Sequence, residues 1–576
     1  MTDLMIDGVH VDLPEGFSVQ AKRENCFFTK SGEYTYDIEL PMTSKTNQKL
    51  YGFLNRWSTQ KMPRLNRKAI LTADNRVYLR GTEVITGWTD RSVKVQLVSG
   101  NSELNWLVTD ELLLSDLDTL GEDLSGWDAD LSGWEPEQRL ITETYPDIPL
   151  AVPFVAGADG EKMNEWVWDD TQHRWVGAAS GFYGMPFLCR YLQMVVEGLG
   201  YAMSTNELDK TLAAHIILIH SQKETKWWKL FPGMTVKDFL VAVEQTFNVT
   251  FMVDQKKKAV RVVSNLNALS SDKRVFIDKV GDEYECVTGD DDEVEELMYD
   301  STSFELSYDL PSSDYYNQAH LSDYVKEVAM RYDAISLDYD NLFNGPYITS
   351  NLIYWCLNEE DPARYDYHFT QGDHSWPAWH LVDTLRSYVV GDGQVKLKMK
   401  MVPAETMADD RYIYMVAGDT APKVDGELKL DDILSLTEKP KGDAGVIRMA
   451  LYTGLTAVQR PRLFCPIAYT DHTMQSKHFP VDVFDKDSEP SHITGLDLRP
   501  STMAREFFVG KGRDYTIDVE HEYHVKCYGE IPQDITSIFV IKHRTFVCRS
   551  IEYTIGPDGV KKEWTGTFYA INVSKQ

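Results

Sequence analysis

The chain has 576 residues, 43% of them apolar and 12% aromatic, with 89 acidic against 58 basic side chains and a formal net charge of −31. Its length sets a prior of roughly four domains, its aromatic content favours β-rich structure, and its charge excludes a surface that wraps nucleic acid, which needs clustered Lys and Arg against phosphates. The acidic N-terminal stretch has no apolar core of a signal peptide, and no run reaches the roughly 18 apolar residues of a membrane helix.

Seven widely spaced cysteines make no disulfide framework. Cys26, Cys189, Cys356, Cys465 and Cys548 stand among apolar neighbours and read as small core residues. The chain is therefore expected to fold in a reducing cytoplasm and to work elsewhere only as part of an assembly.

Residues 1–108 read as an all-β unit, a small barrel or sandwich. Tyr34, Tyr36, Ile38 and Leu40 alternate with Thr35, Asp37 and Glu39, the period of a strand with one buried face. Asn47 to Trp57 suggests a short helix. Ala69–Ala73, a turn at Asp74-Asn75 and Val77–Arg80 read as a hairpin, and Glu83–Trp88 and Ser92–Val98 as two more strands. Residues 109–180 read as an irregular acidic connector, in which Asp123-Leu-Ser-Gly-Trp127 repeats as Asp130-Leu-Ser-Gly-Trp134. Trp127 and Trp134 are candidates for a subunit contact, though cover for the domain's own core is the favoured reading; a stacking face for a sugar has no other support in the sequence.

Residues 181–265 carry the strongest local signals. In GMPFLCRYLQMVVEGLGY, Pro186 suits a first helical position. Leu188, Tyr191, Leu192, Val195 and Leu199 make one face, and Gly200 suits the left-handed residue past the end. In FPGMTVKDFLVAVEQTFNVTFMVDQKKKAVRVV, Thr235 and Asp238 stand at capping-box spacing, with Met234 and Phe239 as a staple. Phe239 and Phe247 lie on an apolar stripe at helical spacing, Asn248 is a stop, and Phe251 leads a hairpin of two strands. Residues 266–390 read as a mixed β-rich domain with an acidic run at Asp290–Glu296 and a short helix at Asp323–Tyr332. Residues 391–576 read as a C-terminal β-rich domain. There Lys396, Lys398 and Lys400 guard an edge strand, and a closing hairpin turns at Gly556-Pro-Asp-Gly559. Asn75-Arg-Val-Tyr-Leu-Arg80 followed by Glu83-Val-Ile-Thr86 is echoed by His543-Arg-Thr-Phe-Val-Cys548 followed by Glu552-Tyr-Thr-Ile555. Each reads as turn, strand, polar bend, strand.

The pair of helices, each feeding an aromatic-led strand, resembles the inserted α/β domain of phage tail hub proteins, the baseplate hubs and tail-associated tip proteins. The N-terminal order of strand, short helix, hairpin and two strands is similar to that family's ring-forming domain. The resemblance covers residues 20–106 and 181–265, with the closing hairpin more weakly. It implies two related barrel domains per subunit, near 69–98 and 537–570, so that a homotrimer mimics the sixfold tube above it. It also implies a place at the tail tip of the virion, with the tail tube protein, distal tail protein, tape measure and tip or fibre proteins as partners, and DNA passing without specific binding.

Catalytic patterns are weak. His521, His524 and Cys527 have ligand-like spacing, but on a strand the two histidines face opposite ways. His368, His374 and His380 lie in a loop-like region. There is no G-x-S-x-G elbow, H-E-x-x-H helix or Walker loop. The expectation is an α+β, mostly β, multidomain fold with small β domains at both ends and a central helix-plus-hairpin unit, without enzyme activity, cofactor or metal. The structural candidates are Trp127, Trp134, Phe239, Phe247 and Phe251. The alternatives are an extracellular carbohydrate-binding or carbohydrate-active protein, and a distal tail protein or other tip component.

Overall fold

The computed structural model describes residues 2–573 apart from 58–66, 110, 122–133, 158–159, 178–182, 223–225, 232, 269–272, 289–302, 311–346, 351–352, 358–369, 372–373, 376–378, 385–386, 394, 409–412, 418–445, 459–462, 471–497 and 510–514. Trp127, the acidic run, the helix expected at Asp323–Tyr332 and His368 lie outside the described residues. The described part is mostly β, with α-helices, in several sheets.

The N-terminal unit contains β1 (Asp3–Ile6), β2 (Val19–Glu24), β3 (Glu33–Thr35), β4 (Ile38–Pro41), β5 (Arg67–Ala73), β6 (Arg76–Trp88) and β7 (Ser92–Ser99). Its antiparallel order is β1-β5-β6-β7-β3-β2, with β4 continuing β3 along β7. Asp74 and Asn75 have φ of 54° and 57°, the pair of positive values that a tight two-residue hairpin requires. Ala69, Leu71, Leu79, Val93, Val95 and Leu97 fill the inner face. Gly81 is fixed by close approach, since a Cβ there would lie 1.9 Å from the Val98 carbonyl oxygen.

Two expectations fail here for local reasons. The strand expected across residues 34–40 breaks at Tyr36-Asp37, so its buried face switches. Thr35 is fully buried, accepting a 3.0 Å hydrogen bond from Leu97 N, while Tyr36 is exposed. The polar bend expected between Arg80 and Glu83 is absent, and β6 runs through it for 13 residues. The short helix near residue 47 is confined to Lys45–Leu50.

Helix α1 (Asn101–Leu107) follows β7 directly. Residues 109–180 then include a helix at Trp134–Thr142 and a hairpin, Trp166–Asp169 with Arg174–Gly177, around buried Trp166 and Trp175. Trp134 opens that helix. Helix α2 (Leu188–Gly198) starts later than Pro186; Pro186 instead pairs with Leu150 in a two-residue ladder, and Phe187 is the N-cap. Gly200, φ 82°, lies beyond the helix end. Helix α3 (Val236–Phe247) has Thr235 as N-cap, accepting from Asp238 N, and ends at left-handed Asn248. It leads into β8 (Val249–Asp254) and β9 (Ala259–Ser264), which pair as a hairpin, with Ala202–Asn206 parallel to β9.

Phe239, Phe247 and Phe251 are buried in the central core with Tyr191, Phe304, Met399, Tyr452 and Phe507. Each such aromatic contributes about 1.5–3 kcal/mol by leaving water. The strand Val395–Met399 lies at a sheet edge with its lysines exposed, Lys398 and Lys400 reaching Asp309.

The second β unit contains β10 (Arg274–Ile277), β11 (Val280–Thr288), β12 (Tyr515–Tyr528), β13 (Ile538–Ile541), β14 (Arg544–Gly556) and β15 (Gly559–Val573). Its order, β10-β13-β14-β15-β12-β11, retraces β1-β5-β6-β7-β3/β4-β2, while the two-residue strand Val9–His10 that pairs with β1 has no counterpart among the described residues. Lys542 and His543, φ 46° and 69°, repeat the positive pair of Asp74 and Asn75. Like β6, β14 has 13 residues. Register on the following strand slips at Thr86 in one unit and at Thr554 in the other. Glu552 thereby occupies the position of Val84, one residue from the position that the sequence echo suggests. One difference is that β10 lies parallel to β13, whereas β1 is antiparallel to β5.

The two units are one body. β2 pairs with β14 across their boundary, and residues 4–97 and 525–570 share a single apolar core. Among the described residues the sheet stays open and closes into no barrel, with β11 at one end of the strand order.

Candidate functional site

Polar side chains hold two junctions between distant parts of the chain. The first is the seam between β2 and β14. Arg23 Nη2 meets Glu33 Oε1 at 2.7 Å, and Tyr553 OH donates to the same oxygen at 2.7 Å. Arg23 Nη1 donates to the Pro532 carbonyl at 2.6 Å. Burial, then the Glu33 carboxylate, pushes the Tyr553 hydroxyl well above the usual range, so it stays a donor. Asn25 donates its amide to Cys548 O at 2.9 Å, and its backbone N–H donates to Arg549 O at 2.8 Å. At the hairpin tip Asp74 Oδ2 accepts from Val560 N at 3.0 Å.

The second junction joins the N-terminal unit to the helix-plus-hairpin unit. Asn101 acts as a one-residue strand partner for β8: its amide donates to Phe251 O at 2.5 Å and accepts from Val253 N at 3.1 Å. Glu103, 3% exposed, accepts from Thr82 Oγ1 at 2.6 Å and Tyr201 OH at 3.1 Å, with Lys258 Nζ at 3.2 Å and the Gln255 amide against it. A carboxylate this deep needs such partners. Lys30 meets Glu244 at 2.7 Å; burial raises the Glu244 carboxyl above its usual range, and Lys30 opposes that shift.

Phe239, Phe247 and Phe251 stand behind these junctions as core. Phe247 packs edge-on against Phe507 at 5.2 Å, and Phe239 against Tyr191 at 5.3 Å. The sequence marks none of Arg23, Glu33, Asn101 or Glu103, because each is defined by partners tens to hundreds of residues away.

Chemistry is sparse elsewhere. Cys527 is fully buried, while His521 is exposed beside Asp518 at 3.0 Å and His524 faces Glu522 at 3.2 Å, so the histidine–cysteine trio is not assembled. Asp518, Glu520 and His521 instead form an outward cluster with ligand atoms within 4.8 Å of one another; clusters of this kind are ordinary on acidic surfaces. A cavity of about 220 Å³ is lined by Tyr145, Cys189, Asn206 and Asp209. Burial pushes the Cys189 thiol well above its usual range, which removes it as a nucleophile near neutral pH. No helix among the described residues is long and apolar enough to cross a membrane.

No family model matches the chain, and no curated protein matches it. Solved structures that align over nearly its whole length include two tail proteins. One is the 43 kDa tail protein of prophage MuSo2 from Shewanella oneidensis, 8% identical, spanning 99% of this chain and 98% of that one with a TM-score of 0.31. The other is a tail protein from Neisseria meningitidis MC58, 6% identical, spanning 99% and 95% with a TM-score of 0.28. Likeness at these scores carries no argument about what this chain does.

Proposed function

We propose that the chain is a structural protein of a phage tail or related injection machine, the hub at the distal end of the tail tube, and that it catalyses nothing. The observation that carries this reading is the repetition of one strand order at the two ends of the chain, fused into a single sheet over a shared core. A subunit with two like units supplies six from a homotrimer, matching a sixfold tube. The helix-plus-hairpin unit then braces the ring through Asn101, Glu103 and Lys30.

The net charge of −31 suits a conduit, because an acidic wall repels DNA phosphates and lets the genome slide. The tube, distal tail and tape measure proteins are the partners of such a hub. The test is electron microscopy of native particles labelled with an antibody fragment raised against the purified chain. Threefold label at the distal tube end is expected. Label along the tube or on the capsid, or particles without label, overturns the proposal.

A further inference from the structure

Helix α2 turns at Gly200, φ 82°, into the strand Ala202–Asn206, and the cavity of about 220 Å³ lies between them. Its floor is fixed by local caps. Asn206 Oδ1 accepts from Leu208 N at 3.2 Å and caps the turn Glu207–Lys210, while its amide donates to Asp209 Oδ1 at 3.0 Å. Thr211 caps the next turn, accepting from Ala213 N at 3.2 Å. From 64 positions away, Tyr145 OH donates to the same Asp209 oxygen at 3.1 Å. Two donors therefore hold this carboxylate in place in advance, so little side-chain freedom is lost when it meets a ligand.

The lining is chemically one-sided. Of the residues around the cavity, Asp209 is the one that carries a charge. Burial, then the Asp209 carboxylate, pushes both the Cys189 thiol and the Tyr145 hydroxyl up, so each keeps its proton beside that carboxylate. Arg190, the cation of helix α2, is engaged by Gln193 Oε1 at 3.1 Å. Ser204 Oγ donates to Val260 O at 3.2 Å, which leaves its lone pairs as acceptors, and the Thr205 hydroxyl adds another. Ser204, Thr205 and Asp209 are exposed, so the cavity opens to solvent. Met203, packed on the central core, and the Tyr145 ring supply apolar wall.

A carboxylate among acceptors suits a group that only donates, and an ammonium has three donors and no acceptor. Size narrows the choice further. At roughly 30 Å³ per water the cavity has room for about seven waters, enough for a short alkyl amine and too little for a drug-sized molecule.

We infer that this cavity binds a primary alkylammonium group, with Asp209 as counter-ion, Ser204 and Thr205 as acceptors, and Met203 and Tyr145 against the stem. The group arrives on a free amine or on a lysine side chain of a partner. The inference rests on the cavity alone and stands independently of the tail reading.

The test is calorimetric titration of the full purified chain with pentylamine and, separately, with acetyl-lysine methylamide, whose side-chain amine is free. Saturable binding at about millimolar affinity, weakening with salt, is expected. Binding of both probes shows that a partner's lysine can use the site, and binding of pentylamine alone restricts it to free amines. Binding of neither overturns the inference, as does equal binding of pentanol, which has the same stem without the charge.

A chain of net charge −31 attracts any cation weakly, and two variants separate that attraction from a site. Asp209→Asn keeps an acceptor for Tyr145 and Asn206 and removes one charge. A loss of affinity of about tenfold or more is expected, and unchanged binding overturns the site. Thr205→Lys changes an exposed residue, leaves the Tyr145–Asp209–Asn206 network intact and tethers an ammonium at the cavity. It should abolish binding of pentylamine at an unchanged melting midpoint, and undiminished binding overturns the inference.

Discussion

Lys30 and Glu244, 214 residues apart, meet at 2.7 Å where the N-terminal unit touches the last turn of helix α3. Burial holds the Glu244 carboxyl above its ordinary range with Lys30 as the opposing influence. Lys30→Ala leaves a buried carboxylate without its cation. The expected cost is about 1–2 kcal/mol at neutral pH, allowing for screening at the partly exposed lysine. A raised folded-state value means that the stabilising form is the protonated one, fully present below the ordinary carboxylate range and lost as pH rises. The difference between Lys30→Ala and the parent should therefore shrink as pH falls toward the ordinary carboxylate range, where Glu244 is protonated in both folded proteins. Melting midpoints of both proteins across the acidic range check this, and a constant difference would show that Glu244 is not the group responsible.

His220 is fully buried, with Nε2 against Gly184 O at 2.9 Å and Nδ1 accepting from Gln222 N at 3.2 Å. Burial pulls its folded-state value down to about 4. Here the neutral ring is the stabilising form, so stability is complete above about 6.5 and is lost as pH falls toward 4, by at most about 3 kcal/mol. His220→Gln should flatten the acid limb of a denaturation series between those values.

Two glycines of β6 separate close approach from flexibility. Gly81→Ala drives a methyl into the Val98 carbonyl, whereas nothing stands within 4 Å of a Cβ at Gly87. Gly81→Ala is expected to cost about 3 kcal/mol or more and to reduce soluble yield. Gly87→Ala should change stability by less than about 1 kcal/mol. Urea midpoints of the two variants decide it.

At the seam, Arg23→Ala removes the cation facing Glu33 and the donor to Pro532 O. A loss of about 2–3 kcal/mol is expected. Hydrogen exchange should quicken together in residues 19–24 and 550–555, whose ladder it supports. Faster exchange in one strand only would show that the two do not open as a unit. Tyr553→Phe, which removes one hydrogen bond, should cost about 1 kcal/mol.

What the sequence discloses follows the range of the interaction. Helix α3 is written locally, in the Thr235 cap, the Phe239 and Phe247 stripe and Asn248, and it forms where the pattern puts it. The first hairpin is legible because two adjacent residues at positive φ favour side chains such as Asp74-Asn75, whereas Lys542-His543 carries no such signal and is read only through its echo of the first. Face assignment fails at Tyr36, where a two-residue break resets an alternation that period alone cannot reveal. Pro186 fits a helix start by rule but is claimed by a ladder with Leu150. Arg23, Asn101 and Glu103 look like ordinary surface residues until strands from elsewhere close over them.

The hydrogen bond from Asn25 to Cys548 crosses 523 positions, and this has a consequence for biosynthesis. Strand β2 finds one neighbour, β3, close by in sequence, but its other neighbour, β14, is synthesised only after the whole central part of the chain. Until then the first hundred residues carry an unfinished edge, exposed to misassociation as such intermediates are. A product that stops short of β14 cannot pass for a finished subunit, because the ladder that completes its first module lies in that strand.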